Sequence, residues 1–326
     1  MTLRTPLCER LGIRVPVVGA GMAGSAGPEL AAAVSEAGGL GTIGGGTGRG
    51  NLDRLRADIA RCRSLTSAPF AVNFIAHALP DPPAALDVCV EAHVPVVTLS
   101  FTDPSPYVSR LHDAGVTVIY QAQTMRDAER ALAAGVDVLI AQGAEAGGHT
   151  GQIGTLAFVP QAVAIAGDTP VLAAGGIATG RGLAAALALG AQGAVLGTAL
   201  LAAEEARQPW PLHRERLLAA GADDTVWTAV HDIAIDMAWP DGVHGRTVRT
   251  PFTERWHGHE DELRRARDQA IGERGAGDDR DPTPAYAGQI VGLVRAVRPA
   301  ARIVEEIVAD AEAVLRALGA AVDRGQ

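Results

Sequence analysis

The sequence predicts an α/β protein, a (β/α)8 TIM barrel with a smaller, mostly helical lid inserted after the eighth unit. Three observations lead there. Short apolar runs alternate with alanine-rich amphipathic stretches over residues 15–197, which is the pattern of βα units around a parallel sheet. The runs are apolar at almost every position, as strands buried on both faces are. Eight units within roughly 200 residues suit a closed barrel better than an open doubly wound sheet, the alternative topology.

The strand-like runs cover 15–19, 40–44, 70–75, 96–101, 116–121, 138–142, 171–174 and 194–197. Helical stretches between them include 29–37, 52–64, 105–114, 125–134 and 181–189. Several end alike, at Ala37-Gly38, Ala114-Gly115, Ala134-Gly135 and Leu189-Gly190. Glycine just past a helix fits a left-handed cap, so these glycines carry no functional meaning. Residues 182–203 hold no charge and are long enough to span a bilayer, but Gly190, Gly193 and Gly197 interrupt them, so they read as a buried helix–turn–strand. After residue 204 the chain becomes richer in charge, Trp and Pro. We expect 1–206 and 286–326 to form the barrel with its C-terminal helices, and 207–285 to form the lid, with a mobile loop at 275–282.

Composition narrows the function classes. The chain has 326 residues, 48% apolar, with only 4% aromatic, so its core is aliphatic. Glycine, at 39 residues, stands well above the average of about 7%. Excess glycine in an ordered, apolar chain marks close backbone approach or turns at positive φ. The net charge is −9 with no long basic run, which argues against nucleic acid and anionic membranes as partners. Every basic residue is arginine, which excludes a Schiff-base lysine and a phosphate-loop lysine. Cys8, Cys62 and Cys89 are far apart, with no disulfide or metal spacing, so a cytoplasmic protein is expected. The charged N-terminus does not read as a signal peptide.

In a barrel the chemistry sits at the C-terminal ends of the strands. Polar and glycine-rich residues gather there: Gly19 to Gly24 after the first strand, Gly44 to Gly46 after the second, Asn73 in the third, Gln121 and Gln123 after the fifth. The sixth ends in Gln142-Gly-Ala-Glu145-Ala-Gly147-Gly148-His149-Thr-Gly, the seventh in Gly175-Gly176, the eighth in Gly197-Thr198. Loops after the last two strands often bind phosphate; here backbone N–H groups of Gly175, Gly176 and Gly197 and the Thr198 hydroxyl would have to do so. His149 is placed for acid–base work near neutral pH. Asn73 and Gln142 carry amides that both donate and accept, which suits a heteroaromatic ring edge. Glu145 would orient a partner or satisfy loop backbone groups.

Other features are weaker. Trp256-His257-Gly258-His259-Glu260 has metal-like spacing but no further ligand cluster, so no metal site is expected. Gly19, Gly21 and Gly24 match a dinucleotide fingerprint, but no acidic residue ends the second strand. The cysteines lie away from the strand ends, and the lid aromatics read as packing rather than stacking groups.

The ordered motifs Pro69-Phe-Ala-Val-Asn73, Gln142 to Gly151, Ala173-Ala-Gly-Gly-Ile-Ala-Thr-Gly, Ala185 to Thr198, Ala287-Gly-Gln289 and Ile303-Val-Glu-Glu-Ile307 resemble the nitronate monooxygenase family, formerly 2-nitropropane dioxygenases. The match covers the barrel and C-terminal helices and is looser over 207–285. The resemblance implies non-covalent FMN. Ala20, Gly21 and Met22 would lie against the flavin, and Asn73, Gln121 and Gln142 would contact ring or ribityl chain. Gly147 and Gly148 would pack nearby, and Gly175, Gly176, Gly197 and Thr198 would hold the phosphate. His149 would be the base or substrate-orienting residue. Where the family usually carries proline in its first-strand motif, this chain has Gly21. The implied reaction is oxidation by O2 of an alkyl nitronate such as propionate 3-nitronate, giving a carbonyl and nitrite. The alternative is an NAD(P)H-dependent FMN reductase of quinones or enoyl-ACP thioesters, for which Arg264, Arg265 and Arg267 would offer an acyl-carrier dock. A flavin-free barrel binding a phosphorylated sugar or peptide is a third reading. The partners expected are a small molecule and O2, with no nucleic acid or membrane; a homodimer is compatible with this.

Overall fold

The computed structural model describes residues 3–48, 50–210 and 212–323. Eleven strands are named in chain order: β1 Val17–Gly19, β2 Gly41–Gly44, β3 Phe70–Ile75, β4 Val96–Ser100, β5 Thr117–Ala122, β6 Val138–Gln142, β7 Gly148–Thr150, β8 Val171–Ala174, β9 Gly193–Leu196, β10 Thr225–Thr228 and β11 His244–Val248. Eight of them form one parallel sheet in the order β1-β9-β8-β6-β5-β4-β3-β2. Val18 bridges Leu40 in parallel, with Gly19 N–H donating to Leu40 O and Leu40 N–H to Val17 O (both 2.9 Å), so the first and last strands of that order meet and close the barrel.

The strands do alternate, but between two apolar cores. Val17, Val72, Val97, Val118, Leu139, Ala173 and Leu196 point outward into the layer shared with the helices. Val18, Ala71, Val96, Ile119, Ile140, Leu172 and Val195 point inward, where Leu7, Cys8 and Leu11 of the N-terminal helix Pro6–Leu11 join them and plug the barrel floor. Because side chains repeat every two residues, the inward positions one step further along β3, β5 and β6 are Asn73, Gln121 and Gln142. The aliphatic interior thus gives way to amides at the C-terminal mouth.

The uncharged stretch 182–203 divides as expected: helix Gly180–Ala188, a turn at Gly190 with φ +92°, β9, and helix Thr198–Leu201. Among the described residues no helix is long and apolar enough to cross a membrane. The helix-ending glycines Gly38, Gly115 and Gly135 also take positive φ. The C-terminal helix Ala300–Asp323 returns to the barrel and buries Val304, Ile307, Val308 and Ala311. It crosses the helix Gly180–Ala188 so closely that a Cβ on Gly180 would lie 2.3 Å from Ala311 N.

Segment 207–285 is less helical than expected. It carries helices His213–Ala219, Val230–Ala234, Pro251–Trp256 and Glu260–Ala270, but also β10 and β11. β10 pairs antiparallel with β11, and β11 with β7, which belongs to the barrel loop that holds His149. Thr and Val dominate these two short strands, which favours pairing over helix.

Candidate active site

Every residue singled out above for a flavin or its chemistry lines one cavity of about 320 Å³ at the C-terminal mouth: Ala20, Gly21, Met22, Asn73, Gln121, Gln142, Gly147, Gly148, His149, Gly175, Gly176, Gly197 and Thr198. Residues from seven separate stretches therefore meet because the strand ends do.

The amides are ordered by one another. Gln142 Oε1 accepts from Gln121 Nε2 at 3.2 Å and from Gln123 Nε2 at 3.0 Å. Its acceptor is thereby occupied, leaving the Gln142 Nε2 as a donor and the Gln121 Oε1 as an acceptor toward the cavity. Gln123, fully buried, serves as a buttress behind Gln142. Asn73 fills the space a side chain at position 21 would need: a Cβ on Gly21 would lie 2.1 Å from Asn73 Cβ and 2.6 Å from its Oδ1. That contact explains why glycine, the residue without a Cβ, stands there.

At the ends of β8 and β9 the backbone takes conformations that glycine allows. Gly175 has φ +103° and Gly176 φ +70°. Gly197 caps the helix Thr198–Leu201. Thr198 Oγ1 accepts the N–H of Gly288 at 2.9 Å, which leaves its hydroxyl hydrogen free to donate. Among the described residues no arginine lines the cavity. Gly147 packs against backbone: a Cβ there would lie 2.5 Å from Ala287 C. Gly148 has φ +74° with open space where its Cβ would stand.

Glu145 lines the cavity, yet both carboxylate oxygens are engaged. They accept from Thr155 N–H at 3.0 and 2.8 Å, and from Thr155 Oγ1 at 2.8 Å. The N-cap of the helix Thr155–Ala166 is Gly154, which has no side chain to offer, so Glu145 caps that helix from a distance. The backbone-satisfying role is the one the structure supports.

His149 Nε2 lies 2.8 Å from Asp232 Oδ1, and both side chains are more than nine-tenths buried. The imidazole stacks on the Trp239 indole, with centroids 3.5 Å apart and planes 12° from parallel. Trp239 in turn meets Phe101 edge-on at 4.9 Å. The Tyr286 ring lies 5.6 Å from His149. Burial, with Asp232 nearby, pushes the Tyr286 phenol up, so it stays protonated. Asp232, Trp239 and Tyr286 went unselected in the sequence; only their chain-distant meeting with His149 singles them out. Trp239 also departs from the expectation that the lid aromatics only pack, since it stacks on the candidate base.

The remaining candidates lie elsewhere. His257 and His259 sit at the surface beside Glu260 (3.7 Å) and Glu262 (3.4 Å). Burial pushes the Cys62 and Cys89 thiols up to about 12, which leaves them inert. Two of the three patch arginines are paired: Arg264 with Asp261 at 2.7 Å, and Arg267 with Asp236 at 3.1 Å.

Residues 4–310 match the sequence model of the nitronate monooxygenase family. The chain belongs to that family. It is accordingly an enzyme, an oxidoreductase of a flavin-dependent group. It is also similar to FabK from Thermotoga maritima, with TM-score 0.85, 35% identity, and 98% of this chain and 99% of that one covered. Nitroalkane oxidase from Streptomyces ansochromogenes aligns with TM-score 0.79 and 32% identity, over 96% of this chain and 99% of the other. A curated relative from Mycobacterium tuberculosis, (3aS,4S,5R,7aS)-5-hydroxy-7a-methyl-1-oxo-octahydro-1H-indene-4-carboxyl-CoA dehydrogenase, is 38% identical over 257 residues, 78% of this chain and 69% of its own length.

Proposed function

We propose that this family member is an FMN-dependent oxidase of alkyl nitronates and their parent nitroalkanes, giving a carbonyl product and nitrite at the expense of O2. The observation that carries the reading is the convergence in one cavity of a carboxylate-held imidazole, an amide set and a cluster of glycine backbones. The residues fit FMN. Gly175, Gly176, Gly197 and Thr198 offer N–H and O–H donors for a phosphate, and the space beside Gly148 is of the kind a Cβ would fill. Gln142 and Gln121 supply one donor and one acceptor for a ring edge, with Asn73 beside them. When bound, FMN would supply the electron acceptor and the link to O2.

The chain's own residues handle the substrate. His149 takes the proton from the carbon bearing the nitro group. The C–H bond breaks, the proton passes to the imidazole, and the electron pair delocalises into the nitro group as the nitronate. With a preformed nitronate the same side chain only orients the anion. Trp239, Ile235, Met237 and Tyr286 wall the cavity and exclude water around the reacting carbon. In this reading 207–285 serves as the lid that brings Asp232 and Trp239 to His149.

A second reading is proton exchange at the α carbon of an acyl thioester, as in a dehydrogenase or an NAD(P)H-dependent enoyl reductase. It is favoured by the similarity to the carboxyl-CoA dehydrogenase and FabK. The pairing of Arg264 and Arg267 with their own carboxylates argues against an acidic acyl carrier docking there.

Anaerobic mixing of the FMN-loaded protein separates the two. Propionate 3-nitronate or ethyl nitronate should bleach the flavin absorbance, and NADH and NADPH should do so far more slowly. Bleaching by the nicotinamides alone refutes the oxidase reading. His149→Ala should slow neutral nitroalkanes more than nitronates, by about 100-fold; equal slowing removes its role as base.

A further inference from the structure

Asp232 is buried at 5% exposure, and among the described residues its side chain has one hydrogen-bond and ion-pair partner, His149. No described arginine pairs with it. A buried carboxylate is acceptor-only and costly to leave unpaired, so the facing nitrogen must carry a proton. The Nε2–H of His149 therefore donates to Asp232. No described residue bonds Nδ1, so that is the nitrogen left to exchange a proton with a ligand.

The surroundings hold the ring to this one arrangement. Trp239 covers one face at 3.5 Å, which blocks rotation about the ring axis. β7 sets His149 opposite Gly245 of β11. A Cβ on Gly245 would lie 2.9 Å from Tyr286 Cε1 and 3.5 Å from His149 Nε2, so glycine there lets imidazole and phenol close in. Asp232 and Trp239 come from the same short stretch after β10. One segment thus fixes both the orientation and the protonated nitrogen of a base carried by the barrel.

We propose that Asp232 is a positioning residue: it holds His149 as the Nε2–H tautomer, so that Nδ1 faces the reacting carbon as the basic nitrogen. The inference rests on the oxidase reading for its activity test, but not for its spectroscopic one. During the reaction the substrate C–H bond breaks, its electron pair delocalises into the nitro group and its proton goes to Nδ1; the Nε2 proton stays on His149, and Asp232 stays charged and faces the imidazolium so formed. A carboxylate that merely filled space in the core would leave the tautomer unaffected when replaced.

The test uses the full-length, FMN-loaded protein and the variants Asp232→Asn and Asp232→Glu. Nitrogen-15 correlation spectra of the histidine rings, with His149 assigned by its absence in His149→Gln, should show a single Nε2–H tautomer. Asp232→Asn should lose it and Asp232→Glu should regain it in part. With nitroethane and ethyl nitronate as substrates, Asp232→Asn should lower the ratio of nitroalkane to nitronate turnover about 100-fold, with the loss in kcat rather than KM. An unchanged tautomer in Asp232→Asn overturns the proposal, as does equal slowing of both substrates. If Asp232→Asn does not fold, Trp239→Phe leaves the carboxylate in place and must keep the tautomer; its loss overturns the proposal too. Should the natural protein turn over neither substrate, the oxidase reading fails, while the tautomer still decides the role of Asp232.

Discussion

Gly21 shows how much a single missing atom decides. Alanine there would set its Cβ 2.1 Å from Asn73 Cβ, far inside contact distance, and Asn73 is itself buried and has one long bond, Nδ2–H to Thr98 O at 3.4 Å. Asn73 would have to leave its place in the cavity wall. Overpacking of this kind costs about 1–3 kcal/mol, so Gly21→Ala should retain flavin about tenfold less tightly, read by the recovery of FMN fluorescence on dilution. At this scale the sequence was informative where polarity broke an apolar run. Asn73, Gln121 and Gln142 stand out as amides in aliphatic strands, and His149 as an imidazole among glycines. Asp232 and Trp239 do not, because an acidic residue or an indole in a charged, Trp-containing segment is ordinary. Their meaning comes from a contact 83 residues along the chain, His149 to Asp232.

At the scale of elements, the loop after β6 depends on a carboxylate that caps a helix it does not belong to. Glu145 holds the first N–H of the helix Thr155–Ala166, while Arg246 Nε, 2.9 Å from Ala144 O, steadies the loop from β11. Replacing Glu145 by Gln keeps an acceptor but removes the charge that faces the helix N-terminus. The expected cost is about 1 kcal/mol, seen as a lower urea midpoint, with kcat for ethyl nitronate within about threefold of the natural protein. A fall in kcat of two orders of magnitude without loss of stability would make Glu145 a chemical participant instead. The barrel's strands were legible because each is an apolar run followed by an amphipathic helix, and the unit repeats. β10, β11 and β7 were not: β10 and β11 lie in a polar, charged segment without that repeat, and β7 lies in a stretch whose two glycines read as loop. Its strand character exists only because β11 pairs with it.

At the scale of the whole molecule, closure of the barrel was legible from the count of βα units, whereas the particular residues that 207–285 brings to the cavity, Asp232 and Trp239 among them, were not, since no periodic signal reports a long-range contact. One consequence of burial in that segment is measurable without any substrate. His231 is buried behind the site, with Nδ1–H donating to Pro282 O at 2.8 Å, its ring 5.7 Å from Phe252, and Nε2 without a partner among the described residues. Burial pushes its imidazole down to about 4 from an ordinary 6.5, and the Pro282 carbonyl and the nearby Asp232 and Asp281 only partly oppose this. The folded protein therefore keeps His231 neutral where the unfolded chain protonates it. Between about pH 6.5 and 4 the unfolded state binds the extra proton, so stability falls as the pH is lowered through that window and levels off below it. At pH 4.5 the loss attributable to this one side chain is about 2–3 kcal/mol relative to pH 7.5. Burial also lowers the His213 imidazole and acts in the same direction, whereas the depressed Asp137 and Asp281 carboxyls lose their contribution only at more acidic pH. Urea unfolding of the natural protein at pH 7.5 and 4.5 should show the drop, and His231→Phe, whatever its absolute stability, should shrink the difference between the two pH values by about that amount. An undiminished difference in the variant would place the acid sensitivity in other groups and leave His231 with only a packing role against Phe252.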